Sequence, residues 1–158
     1  MPNTNSTGPL FHFAPLRLGS GSLIQPGNFG RIIRRYEATE TFSGWRLARE
    51  LIFEDQRPDY KPSRFNSCFG LPTHQDAEAY RRFNDPNFFQ VLHEVEIVNP
   101  TLPTHTASLS WIEFPESGPF LDLMRLQAKQ YWAGEPGDSE KGIETLSASE
   151  FRIIRCLE

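Results

Sequence analysis

LFHFA, residues 10–14, and LGSGSLIQPGNFG, residues 18–30, form the stretch around which this fold is organised. In the first segment apolar residues flank the single polar residue His12, which predicts a short strand that carries one histidine. The glycines of the second segment permit a tight turn, and residues 23–25 predict another short strand that stops at a Pro-Gly pair. Since a strand holds a side chain more rigidly than a loop does, His12 is a candidate site residue. The alternative is a histidine whose hydrogen bonds are satisfied inside the core.

Length and composition limit the class of protein. The chain has 158 residues, the size of one domain with a sizeable core, and its 13 prolines and 11 glycines favour turns and short elements. We expect residues 1–9 to be a disordered lead-in and residues 10–158 to be a single domain. The net charge of −4 gives no basic footprint for general nucleic-acid binding, although it leaves a local basic site open.

Signals for a membrane, for export and for a metal are not evident in the sequence. No apolar run approaches the length that spans a bilayer, and the first nine residues do not resemble a signal peptide. We therefore expect a soluble protein that is cytoplasmic, or that is delivered to a target cell without a signal peptide. Cys68 and Cys156 are too few for a disulfide framework. The histidines have no convincing metal-ligand spacing with carboxylates or cysteines, so we expect no metal site.

Hydrophobic periodicity predicts three helices and a set of short strands. The helices cover residues 44–55, 72–83 and 120–132. Ser43 is a plausible N-cap of the first helix, and Thr73 with Asp76 forms a capping pair for the second. Strands are predicted at residues 10–14, 23–25, 64–70, 89–98, 105–114, 143–146 and 151–157. This mixture favours an α+β fold with a mainly antiparallel sheet or split sheets.

Four short motifs follow one another along nearly the whole chain. They are Phe11-His12 with Leu-x-x-Gly-x-x-Ile-x-Pro-Gly at 18–27, Cys68-Phe69 with Thr73-x-x-Asp76-Ala77, LHEVEI at 92–97, and Glu144-Thr145-Leu146 with Phe151-Arg152-Ile153. In this order they resemble the motifs of rifampin ADP-ribosyltransferases and related small bacterial ADP-ribosyltransferase-like domains. The resemblance implies split, mainly antiparallel sheets around a nucleotide cleft, with about three helices.

The same resemblance implies an activity and three catalytic residues. The activity is transfer of ADP-ribose from NAD, the substrate, to an unidentified acceptor with release of nicotinamide, as in a toxin or effector. Cleavage of the nicotinamide–ribose bond passes through an oxocarbenium-like state, which needs a negative charge and a hydrogen bond to the ribose 2-hydroxyl. Glu144 would supply both, His12 would hydrogen-bond a ribose hydroxyl, and Phe69 would pack against the nicotinamide face.

Further residues are expected to bind NAD or to face the acceptor. The NAD-binding set comprises His12, Phe13, Asn28, Gly30, Arg31, Arg64 and Phe69. Among these the arginines, together with Arg34, are candidates for the pyrophosphate, because a guanidinium binds phosphate oxygens through two parallel hydrogen bonds. Tyr131, Trp132 and the loop at residues 134–142 are expected on the acceptor side. Gly142 stands where arginine-modifying relatives have Glu, so arginine is not the expected acceptor.

Two other functions remain open at this level. One is an NAD-dependent RNA 2′-phosphotransferase-like enzyme, which shares the fold and requires several arginines and histidines around two phosphates. The other is a catalytically silent module that binds a nucleotide or a protein, a reading kept open by Phe69 in place of the usual tyrosine and by Gly142. The enzyme hypothesis makes a geometric demand: His12, Phe69 and Glu144 should converge on one cleft, with Arg31 or Arg64 reaching its rim.

Overall fold

The computed structural model describes residues 8–35, 44–83 and 89–158, which fold into an α+β structure. The strands within these residues are β1 (Leu10–Ala14), β2 (Leu23–Ile24), β3 (Cys68–Gly70), β4 (Val91–Ile97), β5 (Thr104–Ser108), β6 (Ile143–Ser147) and β7 (Phe151–Cys156). The helices are α1 (Asn28–Arg35), α2 (Gly44–Asp55), α3 (His74–Phe83) and α4 (Phe120–Ala133), with 3-10 turns at Arg64–Asn66 and Leu109–Ile112. The predicted α+β class is confirmed.

The strands form two antiparallel sheets. One has the order β1-β4-β7-β2 and the other the order β3-β6-β5. They meet where the amide of Phe11 donates to the carbonyl of Leu71 over 2.8 Å and the amide of Leu71 donates back over 2.7 Å. This single exchange sets β1 beside the end of β3. The predicted split, antiparallel arrangement is therefore present, and residues distant in sequence face a common space.

Helix α4 supplies the core of the second sheet. Met124, Ala128 and Tyr131 are fully buried, and their spacing of four and three residues places them on one face of the helix. Gly134 ends the helix in the left-handed conformation with φ of 71°, which a glycine adopts without steric cost. The predicted helix is confirmed, and its buried face sets Tyr131 against the β5–β6 pair.

The capping pair of α3 also connects this helix to β6. The amide of Asp76 donates to Thr73 Oγ1 over 3.0 Å, and the amide of Thr73 donates to Asp76 Oδ2 over 3.1 Å. This reciprocal pattern satisfies two backbone donors at the helix start, as predicted. The other oxygen, Asp76 Oδ1, accepts a hydrogen bond of 3.0 Å from the amide of Ile143. The first turn of α3 therefore fixes the beginning of β6, the strand that carries Glu144.

Three predicted elements differ from the observed ones. Residues 28–35 were predicted only as a basic cluster but form α1, because Ile33 is buried while the arginines lie outside; the described residues thus hold four α-helices rather than about three. Residues 64–70 split into a 3-10 turn and β3, since the Ser63 hydroxyl accepts from the amide of Phe65 and closes the turn. The strand predicted at 105–114 ends early, and a 3-10 turn capped by Ser108 follows.

Two predictions, the disordered lead-in and the N-cap of α2, fall on residues that the structure does not describe. Residues 1–7 of the lead-in and Ser43, the predicted N-cap, lie outside the described residues. Within the described ranges, none of the helices combines the length and the apolar character that crossing a membrane requires.

Candidate functional site

A pocket of about 540 Å³ is lined by residues of both sheets and of the first three helices. This volume lies in the range of small-molecule sites, roughly 300–1,000 Å³. His12 of β1, Phe69 of β3 and Glu144 of β6 all line it, although 57 residues separate His12 from Phe69 and 75 separate Phe69 from Glu144. The pairing of β1 with the end of β3, and of β3 with β6, brings the three together.

Glu144 is a buried carboxylate, not a solvated one. Its side chain is 6% exposed, and it lies opposite Ala107 in the β5–β6 pair. Oε1 accepts a hydrogen bond of 2.7 Å from the Tyr131 hydroxyl and pairs with Nη1 of Arg64. Among the described residues Oε2 has no hydrogen-bonding partner. One oxygen of Glu144 is thus held by the protein, and the other is available to a bound molecule.

Arg64 lines the pocket but commits most of its donors to the protein. Nε donates to Glu50 Oε2 over 2.7 Å, and Nη1 donates to the Tyr131 hydroxyl oxygen over 2.6 Å in addition to pairing with Glu144. Burial alone would lower the pKa of this guanidinium, but the Glu144 and Glu50 carboxylates raise it well above its usual range. Most of the Arg64 donors that were expected to bind a pyrophosphate are therefore occupied by Glu50, Tyr131 and Glu144.

Glu50 completes this buried cluster from helix α2. It is 1% exposed, and its Oε1 accepts from Arg49 Nε and Nη2 over 3.2 Å and 3.0 Å. Burial acts to raise the pKa of the Glu50 carboxyl, yet Arg64 and Arg49 outweigh it and lower the pKa below its ordinary value. Two carboxylates and two guanidinium groups thus balance one another, as buried charges require. We name Glu50, Arg64, Tyr131 and Glu144 the ionic cluster.

Glu50 was not predicted as a site residue from the sequence, and Tyr131 was predicted for a different role. Glu50 lies three residues before the buried Phe53, on the core side of an amphipathic helix, and a charge on that face is a signal that could have revealed it. Tyr131 and Trp132 were expected at the acceptor, but both are buried. Burial raises the pKa of the Tyr131 phenol well above its usual value, as does the nearby Glu144. The phenol therefore stays protonated and donates to Glu144.

His12 faces the pocket with a defined tautomer. Its Nδ1 lies 2.7 Å from the carbonyl oxygen of Phe69, and since a carbonyl can only accept, Nδ1 carries the proton. Burial lowers the pKa of His12, which the Phe69 hydrogen bond only partly offsets, so the ring is neutral near pH 7. Its Nε2 is consequently an acceptor. A strand-held acceptor in the pocket that Glu144 also lines suits a ligand hydroxyl.

An aromatic wall lies next to these polar groups. The ring of Phe69 meets that of Phe29 edge to face, with centroids 4.8 Å apart. Arg64 lies over the Phe69 ring, its guanidinium carbon 5.1 Å from the centroid. Phe13 also lines the pocket and stacks on Tyr80 with centroids 5.7 Å apart. Such a wall favours a ligand with a flat ring.

The remaining candidates divide into two groups. Asn28 lines the pocket, but Gly30 and Arg31 are not among the described residues that do. A side chain at Gly30 would meet the carbonyl oxygen of Phe65 at 2.1 Å, so this glycine allows α1 to pack closely. Arg31 is exposed and donates to Asn28 Oδ1 over 2.9 Å, while Arg34 lies over the Phe65 ring. Of the two arginines expected to reach the pocket, Arg64 is therefore the one that lines it.

Cations outnumber carboxylates around the pocket, but most of them are paired within the protein. Its described lining includes four cationic side chains and two carboxylates, namely Arg46, Arg49, Arg64 and Lys141 against Glu113 and Glu144. Lys141, from the loop at 134–142, pairs with Glu113 over 2.8 Å. Glu50 and Glu144 balance Arg49 and Arg64, so most of the positive charge at the lining is already compensated. Phosphate oxygens are the groups that arginine forks match best.

The described residues were searched for a metal site, and the chain was compared with known families and proteins. Within residues 8–35, 44–83 and 89–158, no group of three or more His, Cys, Asp or Glu side chains is placed to hold a metal ion. Comparison with protein-family models found no match, and a search of curated proteins found no significant match either.

Proposed function

We propose that this protein transfers ADP-ribose from NAD to an acceptor, with release of nicotinamide. The observation that carries the proposal is the convergence of His12, Phe69 and Glu144 on one pocket that is also rich in arginine. The arginine side chains at the lining are candidates to bind a pyrophosphate, and the aromatic wall suits a nicotinamide or adenine ring. The motif resemblance adds NAD as the specific substrate.

Glu144 would stabilise the transition state. In the proposed reaction the bond between ribose C1′ and the nicotinamide nitrogen breaks, and its electron pair leaves with nicotinamide. The positive charge that develops on the ribose is stabilised by the Glu144 carboxylate, and Oε2 accepts a hydrogen bond from the 2′-hydroxyl. An acceptor nucleophile then bonds to C1′ and releases its proton to solvent.

His12 and Phe69 would orient the donor. The unprotonated Nε2 of His12 accepts a hydrogen bond from a ribose hydroxyl, while Phe69 packs against the nicotinamide ring. Orientation of this kind contributes a large part of the rate enhancement when it holds the reactive geometry before bond breaking. Arg46, at the pocket lining, is better placed than Arg31 for the pyrophosphate.

The test is nicotinamide release from NAD by the wild-type protein and by Glu144→Gln. We expect slow hydrolysis even without an acceptor, and a loss of roughly a hundredfold or more in turnover for Glu144→Gln, because the amide keeps the shape but not the charge. The dissociation constant for NAD, measured by calorimetry, should change little.

Two matched variants test the assignment of the acid. Asp122→Asn and Glu135→Gln neutralise one carboxylate in α4 and one in the loop at 134–142, and we expect both to retain wild-type turnover. If either abolished activity while Glu144→Gln did not, the acid would be assigned to the wrong residue.

Incubation of the wild type with labelled NAD and cell lysate would then identify the fraction that takes up ADP-ribose.

A second candidate is a nucleotide-binding module without turnover. It is favoured by one observation: the charge of Glu144 is already compensated by Arg64 at Oε1. A compensated carboxylate stabilises a cationic transition state less than an isolated one. NAD binding without detectable nicotinamide release would support this module and exclude the transferase.

A further inference from the structure

Glu50 does not line the pocket, yet it contacts Arg64, the residue that pairs with the candidate acid Glu144. Its two oxygens accept Nε and Nη2 of Arg64 at 2.7 Å and 3.4 Å. Glu50 is not one of the described residues that line the pocket, so it does not contact a bound ligand there. Glu50 also accepts from Arg49, another lining residue, but only Arg64 bonds to Glu144, so an effect of Glu50 on the candidate acid must pass through Arg64.

Arg64 converts this contact into a fixed orientation of Glu144. The guanidinium group is planar, so once Nε and Nη2 are fixed by Glu50, the position of Nη1 is also fixed. Nη1 is the atom that pairs with Glu144 Oε1 and donates to the Tyr131 hydroxyl. The three groups come from α2, the 3-10 turn at Arg64–Asn66 and β6, so the contacts also tie separate elements together.

Stability alone does not explain these charges. A buried ion pair costs desolvation that its attraction often fails to exceed, and apolar side chains of similar volume are frequently as stable. The surroundings here include apolar side chains such as Phe53, which lies edge to face with Tyr131. A role in orienting Glu144 would explain why charged side chains are buried at this position.

We infer that Glu50 is a positioning residue: through Arg64 it holds Oε1 of Glu144, so that Oε2 is presented to the ligand. Its catalytic consequence rests on the proposed function, but the positioning itself does not. Glu50 is thus coupled to the candidate acid although 94 positions separate them in the sequence.

Crystal structures of the wild type and of Glu50→Gln provide the direct test. The variant keeps one oxygen to accept from Arg64 but loses the charge and the second acceptor. We expect the Glu144 carboxylate to move by roughly 1 Å or to adopt a second rotamer, a displacement large enough to affect chemistry. A Glu144 side chain that keeps its wild-type position in a folded Glu50→Gln would overturn the inference.

Kinetics then separate positioning from a general structural role. We expect Glu50→Gln to lower kcat for nicotinamide release roughly 10- to 100-fold with KM within about threefold, because the donor still binds while the acid is misplaced. The control is Glu96→Gln, which also breaks a carboxylate–arginine pair, the exposed one to Arg152 Nη1 at 2.9 Å, and should leave kcat unchanged. An unchanged kcat in Glu50→Gln, with wild-type turnover present, would contradict the inference.

The two proposals fail in distinguishable ways. A wild type that releases no nicotinamide disproves the transferase, while the crystallographic comparison still decides whether Glu50 positions Glu144. If Glu50→Gln does not fold, Glu50→Asp replaces it, because it keeps the charge and shortens the side chain by one methylene. In that variant Arg64 should shift toward α2, and the Glu144 carboxylate should shift with it; a Glu144 in its wild-type place would again overturn the inference.

Discussion

At the scale of single residues, the site depends on which atoms are already occupied by the protein. Glu144 has one oxygen engaged and His12 has one nitrogen engaged, so each keeps a second polar atom, which the proposed function assigns to the ligand. Both side chains are immobilised by these contacts, which reduces the entropy lost on binding. The hydrogen bonds within the protein thus fix the two side chains before a ligand binds, so the ligand does not have to order them.

His12→Ala tests the orienting role at this scale. We expect KM for NAD to rise and turnover to fall together, because the lost Nε2 contact to a ribose hydroxyl serves both binding and orientation. The melting temperature should change little, since the lost hydrogen bond to the Phe69 carbonyl contributes only about 1 kcal/mol. NAD kinetics and thermal unfolding provide the measurements.

The control for that variant is His74→Ala. His74 is an exposed histidine at the start of α3, in contact with the edge of the Phe11 ring, and its removal should leave KM and turnover unaltered. A large drop in the stability of His12→Ala with intact NAD affinity would instead favour a histidine whose only task is in the core.

At the scale of elements, the pocket depends on how closely α1 approaches the 3-10 turn at Arg64–Asn66. Gly30 sits at this contact, where a Cβ atom would lie 2.1 Å from the Phe65 carbonyl oxygen and 2.7 Å from its Cα. These neighbours are backbone atoms, so they cannot move aside without shifting the turn. The turn carries Arg64, and a change in helix packing therefore reaches the ionic cluster.

Gly30→Ala should destabilise the protein by about 1–3 kcal/mol, the usual range for overpacking. Helix propensity alone predicts the opposite sign, a gain of up to about 1 kcal/mol for Ala over Gly. Urea denaturation distinguishes the two outcomes. Gly19→Ala is the matched control, since a Cβ there meets nothing within 4 Å, and it should change stability by no more than about 0.5 kcal/mol. A more stable Gly30→Ala would show that α1 does not pack in this way.

At the scale of the whole molecule, buried neutral histidines make stability depend on pH. Burial lowers the pKa of His105, and the nearby Lys61 lowers it further. Burial likewise lowers the pKa of His12. His105 Nδ1 lies 3.0 Å from the Lys61 ammonium and Nε2 lies 2.8 Å from the Tyr131 carbonyl. In the neutral ring Nδ1 accepts a hydrogen bond from the Lys61 ammonium and Nε2 donates one to the Tyr131 carbonyl oxygen.

The sign of this dependence follows from the two states. Because both folded pKa values lie below the unfolded value of about 6.5, the unfolded chain takes up protons first as the pH falls, and stability is lost below about pH 6.5. Each histidine contributes a slope of at most about 1.4 kcal/mol per pH unit. Urea midpoints compared at about pH 7.5 and pH 5.5, above the carboxylate range, should show the loss. Equal midpoints at the two pH values would contradict the neutral assignment of both rings.

The sequence by itself determined the elements that local chemistry specifies. The spacing of Met124, Ala128 and Tyr131 predicted α4, the reciprocal pair of Thr73 and Asp76 predicted the start of α3, and the apolar run around His12 predicted β1. Each of these signals depends on neighbours within about seven residues, which interact before any tertiary structure exists. The local pattern also named His12 as a candidate, whereas Phe69 and Glu144 were named from the resemblance of the motifs to a known family.

Only the tertiary structure decided how the candidates are used. Arg64 was expected at a pyrophosphate because an arginine beside a strand looks like any other phosphate ligand in sequence, yet it pairs with Glu50 and Glu144. Tyr131 was expected at the acceptor and is instead buried against them. Fourteen positions separate Glu50 from Arg64 and 80 separate Arg64 from Glu144. Charges that compensate one another over such distances leave no periodic pattern, because the packing of separate elements, and not their spacing in the chain, brings them into contact.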